Sequence, residues 1–263
     1  MLDLGLAGRA AIVTGAGSGI GLATTRAFLG EGVSVIAADL DIEALRELAP
    51  AGRLLPVVAD LTHPEAAASV VEQGVGAFGR LDILFNNAGF IRPRGGFLNV
   101  SDEDWANTLG LNLMGYVRMA RAVLPVMLQA GRGSIIHNGS ESSRMGSPFA
   151  PDYAVSKAAV LMLSNVLSQE FIAKGVRSNV VSPAQIRTPI LEKAGGMLDM
   201  ISENLGVDRE GAINALLKGV GSSIGRLGEV EEVTSAVLFL ASDRADFISG
   251  IELLIDGGTR RFI

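Results

Sequence analysis

The sequence predicts a doubly wound α/β fold: one domain with a parallel sheet of about seven strands and helices on both faces. Three observations predict it. Short β-branched runs alternate with longer helical stretches along nearly the whole chain. The runs are almost wholly apolar, as strands are when both faces of a sheet are covered. No linker, internal repeat or charge run divides the 263 residues.

Taken in order, the first strand is Ala10–Thr14, and a glycine-rich turn leads from it into a helix over Ile20–Gly30. Val33–Ala38 reads as the second strand, with a helix over Ile42–Leu48. Leu54–Ala59 is the third, followed by a helix over Pro64–Phe78 whose start carries a capping box, Thr62 to Glu65. Ile83–Phe85 is the fourth strand. A long helical stretch, Asp102–Ala130, follows, opened by a second box, Ser101 to Asp104. Ser134–Asn138, the helix Asp152–Lys174 and Arg177–Val181 come next. Val230–Ala241 and Glu252–Ile255 supply the last helix and strand. Parallel neighbours require right-handed crossovers, which fixes the winding. The rhythm breaks at about residues 184–228, where Leu191, Met197, Leu198, Met200, Ile201 and Leu205 lie among glycines. That segment reads as a lid over an apolar pocket, against the plainer reading of small helices packed on the body.

Composition removes whole classes of function. There is no cysteine, so disulfides, thiolate nucleophiles and Cys-bound zinc or iron–sulfur clusters are out. The net charge of −6 argues against nucleic acid or an anionic membrane as partner. The N-terminus has no basic, apolar signal pattern, and no run of about 18 apolar residues suggests a span. A cytoplasmic protein is the expectation. No G-x-S-x-G elbow occurs, and His63 and His137 are the only histidines, which leaves a serine hydrolase or a histidine metal site without support.

The strand Ala10–Thr14 runs into Gly15-Ala16-Gly17-Ser18-Gly19-Ile20-Gly21 and then a helix, which is the construction of a phosphate cradle. Glycines admit a pyrophosphate to the backbone, and the helix N-terminus receives its charge. The pattern is T-G-x-x-x-G-x-G rather than the general G-x-G-x-x-G. Asp39, at the end of the second strand, lies about twenty residues further on, where a carboxylate can grip a ribose 2′-hydroxyl. No Lys or Arg stands among Ala16, Gly17 and Ser18 or among Leu40, Asp41 and Ile42 to receive a 2′-phosphate, so the cofactor expected is NAD.

Tyr153 and Lys157 are four apart in a helical stretch and share one of its faces. An ammonium there favours phenolate and lowers a tyrosine pKa from about 10, making Tyr153 a general acid/base. Ser140 closes the fifth strand and offers a donor to a substrate oxygen.

These motifs, with Asn86-Asn87-Ala88-Gly89, Asn112, Pro183 to Thr188 and Asp256-Gly257-Gly258, resemble the short-chain dehydrogenase/reductase family over essentially the whole chain. The resemblance implies a Rossmann-type fold and a catalytic set of Asn112, Ser140, Tyr153 and Lys157, with Asn112 holding a water in line with the lysine. It implies that Gly15, Ser18, Gly19, Ile20 and Gly21 cradle the pyrophosphate and that Asp60 and Leu61 border the adenine. Asn87 and Ala88 would meet the adenine-side ribose, Lys157 the nicotinamide ribose, and Ile186 and Thr188 the nicotinamide carboxamide, with Gly89, Tyr153 and Pro183 also against the cofactor. Two departures stand out: Pro183-Ala184 replaces a usual Pro-Gly, and His137-Asn138-Gly139-Ser140 replaces a more usual Asn-Ile-Ser-Ser.

The activity expected is interconversion of a secondary alcohol and a ketone by hydride transfer. Two alternatives stay open: an epimerase or dehydratase that uses NAD transiently, and a non-catalytic NAD-sensing protein. The substrate walls expected are Phe90, Ile91 and Arg92, Glu141 to Met145 with Ser142 foremost, Gln185, and the lid with Met197. Arg92, Arg94 and Arg144 either meet an anionic group or are solvated surface. The resemblance also implies a homotetramer, paired through Asp102–Ala130 and Asp152–Lys174. Arg260-Arg261-Phe262-Ile263 ends the chain on two apolar residues that a second interface would bury.

Overall fold

A computed structural model describes residues 3–48 and 52–259. Seven strands form one sheet in the order β3-β2-β1-β4-β5-β6-β7, every pair parallel. They are β1 Ala10–Thr14, β2 Ser34–Asp39, β3 Leu54–Val58, β4 Ile83–Asn86, β5 Gly133–Asn138, β6 Val176–Pro183 and β7 Glu252–Ile255. The order reverses between β1 and β4. A crevice opens beyond their carboxyl ends, at Thr14 and Asn86, because the connections leave in opposite directions there.

The helices are α1 Gly19–Gly30, α2 Glu43–Arg46, α3 Ala66–Phe78, α4 Asp102–Leu109, α5 Tyr116–Ala130, α6 Pro151–Phe171, α7 Pro189–Glu192, α8 Met197–Leu205, α9 Arg209–Val220 and α10 Val230–Ala241. Period-two alternation divides the core between the faces. Ala11 and Val13 point to a layer with Phe28 of α1 and Val233, Val237 and Leu240 of α10. Ile12 points the other way, to Val70 of α3 and to Met119, Val123 and Met127 of α5. Among the described residues no helix is long and apolar enough to cross a membrane.

Three local expectations need correction. The single helix expected over 102–130 is interrupted by a π-helical segment, Gly110–Gly115, between α4 and α5. A π turn admits one extra residue, and such bulges recur at functional sites; this one carries Asn112. Of the two capping boxes, Ser101–Asp104 forms. Thr62 does not cap α3: its hydroxyl donates to Asp60 Oδ1 at 2.7 Å, and the helix begins only at Ala66. The helix expected over 42–48 shrinks to the four residues of α2. Residues 184–228 are helical. They fold as α7, α8 and α9 around their own small cluster of Leu191, Leu198, Ala212, Leu217 and Leu227, and leave Met200 and Leu205 exposed. The C-terminal Arg260 to Ile263 lies outside the described residues.

Candidate active site

At the switch point lies a cleft of about 640 Å³. Its near end is walled by Asp39, Leu40, Asp60 and Leu61, its centre by Gly15, Ser18, Gly19 and Ile20, and its far end by Ser140, Tyr153, Lys157, Pro183, Ile186 and Thr188. Asn87, Ala88 and Gly89 form one side, and Phe90, Ser142, Gln185 and Met197 line the outer part. The cofactor and substrate residues expected from the sequence therefore meet in one place, with two displacements. Gly21 is absent from the lining; a Cβ there would stand 1.9 Å from the Gly15 carbonyl oxygen, so its bareness serves helix–strand contact. Asn112 is also behind the wall.

The centre is built by backbone. Gly15 takes φ +64°, and a Cβ on it would meet Ala88 Cα at 2.8 Å. Only glycine satisfies both the conformation and the approach. Thr14 staples the two crossing turns together: its Oγ1 accepts from the Asn87 and Ala88 N–H groups at 2.9 and 3.0 Å. The Asn87 amide donates to the Thr14 and Gly15 carbonyls and accepts from Asn138 Nδ2 at 2.9 Å, so it holds the loop. The start of α1, which the Ser18 side chain does not cap, presents first-turn N–H groups at the cleft that Ser18, Gly19 and Ile20 line. Asp39 fixes the loop from the near end, its Oδ2 accepting from Gly17 N at 2.7 Å. A cleft with a helix N-terminus at its middle and a carboxylate at one end fits a dinucleotide.

The far end is built by side chains. Ser140 Oγ accepts the Ser142 N–H at 3.2 Å and is bonded to Tyr153. The Tyr153 pKa is raised, not lowered as the Tyr–Lys spacing predicts: burial pushes it up, the Ser140 bond opposes this, and the Glu141 charge adds to it. Lys157 does not bond the Tyr153 hydroxyl. Its Nζ donates to the Asn138 carbonyl at 2.7 Å and to Tyr116 Oη at 3.2 Å, and it sits 5.8 Å from the Tyr153 ring centre. Burial lowers its pKa from 10.5 to about 7. Asn112 Oδ1 accepts from Phe90 N at 3.0 Å and its Nδ2 donates to Phe90 O at 2.9 Å. The amide thus reads a backbone unit like a strand partner, which pins the turn after β4.

The outer wall is mixed. Of the stretch 141–145 only Glu141 and Ser142 line the cleft, and Gln185 Nε2 donates to Glu141 Oε1. Neither alternative for the arginines holds in general. Arg94, its side chain 10% exposed, pairs with Asp104 and Asp152. Arg144 pairs with Glu252, and Arg92 lies over the Phe90 ring.

Sequence reasoning missed Tyr116 altogether and saw Asn138 only as a departure from a pattern. A signal existed: the chain has just two tyrosines, and both stand around Lys157.

Residues 15–260 match the family described as enoyl-(acyl carrier protein) reductase. The chain belongs to the short-chain dehydrogenase/reductase family. It is 35% identical to the 3-oxoacyl-(acyl-carrier-protein) reductase FabG of Thermotoga maritima over 258 residues, 96% of this chain and 98% of that one. L-sorbose reductase from Gluconobacter frateurii, complexed with NADPH and L-sorbose, shares 33% identity and a TM-score of 0.93 over 100% of both chains. 3-Ketoacyl-(acyl-carrier-protein) reductase from Brucella melitensis, complexed with NADH, gives 0.83 at 26% identity, covering 97% of this chain and 99% of that one. This short-chain dehydrogenase/reductase is an oxidoreductase that uses a nicotinamide dinucleotide and acts on alcohols or ketones.

Proposed function

We propose that the chain is an NAD(H)-dependent oxidoreductase of secondary alcohols and ketones, with Tyr153 as its general acid/base. The observation that carries this reading is the meeting of Ser140, Tyr153 and Lys157 at the far end of a cleft whose near end is closed by Asp39. Asp39, Asp60 and Leu61 would hold the adenosine half, Gly15 and Ser18 to Ile20 the pyrophosphate, and Lys157, Pro183, Ile186 and Thr188 the nicotinamide half. When bound, the nicotinamide supplies or takes up the hydride.

The chain's own residues handle the proton and the charge. Tyr153 Oη gives a proton to the substrate oxygen on reduction and takes one on oxidation. Ser140, its oxygen already accepting from Ser142, directs its hydroxyl proton at that substrate oxygen as charge develops there. Lys157 supplies positive charge beside the phenol, and Asn112 sets the backbone at Phe90 that borders the reacting end.

A small hydroxylated ketone suits the mixed wall, with Glu141, Ser142 and Gln185 facing Phe90, Ile91, Ile190 and Met197. Support comes from the L-sorbose held by the Gluconobacter neighbour. The helices of residues 184–228 serve as the lid, bringing Met197 over the substrate. A cytoplasmic homotetramer is the assembly that fits: Val155, Met162 and Val166, 50, 64 and 51% exposed, form one apolar stripe along α6.

The deciding experiment is Tyr153→Phe, which keeps the ring and removes the proton donor. We expect kcat for ketone reduction to fall by about 10²–10⁴, with NADH affinity little changed. Wild-type turnover in this variant would end the proposal.

A further inference from the structure

We propose that Tyr116 is a positioning residue for Lys157: its hydroxyl, with the Asn138 carbonyl, fixes the ammonium at the Tyr153 end of the cleft and keeps it charged. The inference rests on the reading that Lys157 serves Tyr153 in hydride chemistry, but it concerns a residue that no motif of the site contains.

Three atoms form a closed triangle. Lys157 Nζ donates to the Asn138 oxygen at 2.7 Å and to Tyr116 Oη at 3.2 Å, and Tyr116 Oη donates to the same carbonyl at 3.2 Å. A phenol has one proton, and here the carbonyl takes it. The lone pairs of Tyr116 Oη are therefore turned toward the ammonium, and Tyr116 acts on Lys157 as an acceptor only. Two of the three ammonium protons are thereby committed inside the wall. The third is left for the cleft that Lys157 lines.

Tyr116 is held rigidly enough to do this. It is 1% exposed and stands where the π segment passes into α5. Asn86 Nδ2 donates to its backbone carbonyl at 3.2 Å, and its ring stacks on His137, with centroids 5.9 Å apart and planes 22° apart. Asn86 Nδ2 also lies 3.2 Å from His137 Nδ1, which must accept, so the ring proton is on Nε2 and goes to Ser178 Oγ at 3.3 Å. Burial, then the charge of Lys157, brings the His137 pKa down to about 3. His137 is consequently a neutral wall and not a competing base.

The groups facing Lys157 are few. α5 gives Tyr116, α6 gives Tyr153, β5 gives neutral His137 and the Asn138 carbonyl, and the turn after β5 gives Glu141, whose charge acts on Tyr153. Burial and the Tyr153 charge hold the Tyr116 pKa well above its ordinary value, so Tyr116 stays a phenol while Tyr153 titrates. Its hydroxyl leads on only to a carbonyl, which takes up no proton, and this separates holding the lysine from relaying through it.

The test is Tyr116→Phe, which keeps the ring, the His137 stack and the ring face 5.0 Å from Nζ. The chain has only four lysines, Lys157, Lys174, Lys193 and Lys218, so the Lys157 ammonium can be titrated directly by NMR of ¹³Cε-labelled lysine. Loss of an acceptor favours the neutral amine, and the Lys157 titration should move down by about one pH unit, the other three staying in place. The alkaline limb of the kcat–pH profile should shift the same way, with substrate KM within about twofold.

An unmoved Lys157 titration overturns the proposal, whether kcat is unchanged or falls equally at every pH as packing damage would make it. If Tyr116→Phe does not fold, 3-fluorotyrosine incorporated in a Tyr153→Phe background labels Tyr116 alone and weakens the same acceptor. A Lys157 titration that moves down upholds the proposal there, and one that stays overturns it. The titration is read without turnover, so its outcome is separate from failure of the oxidoreductase reading, which Tyr153→Phe decides.

Discussion

Arg94 reaches from the loop after β4 to Asp152, the residue before Tyr153, and donates to its Oδ2 from both Nε at 3.1 Å and Nη2 at 2.8 Å. The same guanidinium donates to Asp104 of α4 at 2.6 Å, and Thr108 donates to Asp152 at 2.7 Å. One largely enclosed cation thus ties the loop after β4, α4 and the start of α6 together. Burial pushes the Asp152 pKa up, but the bonds from Arg94 and Thr108 prevail and hold it below the ordinary carboxylate value. The tie is complete above the unfolded carboxylate pKa of about 3.9 and is lost as pH falls through the depressed folded value.

Arg94→Leu should therefore cost about 3–5 kcal/mol of stability at pH 7, because it leaves a buried carboxylate without its cation. Adding Asp152→Leu should recover part of that loss. Urea unfolding of the two variants checks it, and a single-variant loss below about 1 kcal/mol contradicts the tie.

Asp39 should set the preference for NAD(H) over NADP(H). Its carboxylate accepts from Gly17 N and from Asp41 N, at 2.7 and 3.1 Å, while facing the cleft. A 2′-phosphate there meets a carboxylate with Asp41 close by and no cation among the adjoining loop residues. A hydrogen bond to a charged group corresponds to roughly 10–150-fold, and repulsion moves the ratio of kcat/KM values toward the upper end. Asp39→Ala should collapse it. Equal use of both cofactors by the wild type refutes the preference; a ratio untouched by the substitution removes Asp39 as its source.

His137 gives the fold a specific acid sensitivity. Its pKa falls from 6.5 in the ordinary state to about 3 in the folded protein. Between those values the unfolded chain binds a proton that the native state refuses, so stability falls as pH falls. The limiting slope is about 1.4 kcal/mol per pH unit. His137→Asn should flatten the stability–pH curve between pH 6 and 4, measured by urea unfolding at several pH values. Parallel curves for the two proteins would mean that His137 does not titrate in this way.

Lys157→Met should lose turnover and gain stability. The folded pKa of about 7 lies below the ordinary 10.5, so the buried charge costs most at pH 7 and below. That cost is relieved as pH rises toward 10. Removing the charge should raise Tm by about 2–4 °C for each kcal/mol recovered, with the gain shrinking at alkaline pH. A fall in Tm at pH 6.5 argues that the ammonium's two bonds outweigh its burial.

The sequence by itself determined the winding of the chain and the location of the site along it. Apolar runs such as Ala10–Thr14 and the glycine-rich turn Gly15–Gly21 between a strand and a helix are local patterns, and local patterns are written in residue order. Tyr153 and Lys157 were legible for the same reason, because four residues of one helix fix their common face. What the tertiary structure decided is everything that depends on a crossing. Asn112 pins Phe90, 22 residues away, only because a π segment reorients it. Tyr116 meets Lys157 across 41 residues of chain, and Arg94 meets Asp152 across 58. Burial of Lys157 to 3% exposure, which sets its pKa, is likewise a property of the packed layers. Segment 184–228 shows the converse: its apolar residues were visible, but only their packing on one another gives its helices a core of their own. Spacing along a chain encodes periodic neighbours, whereas contacts between separate elements, and the desolvation they impose, exist only once the layers have closed.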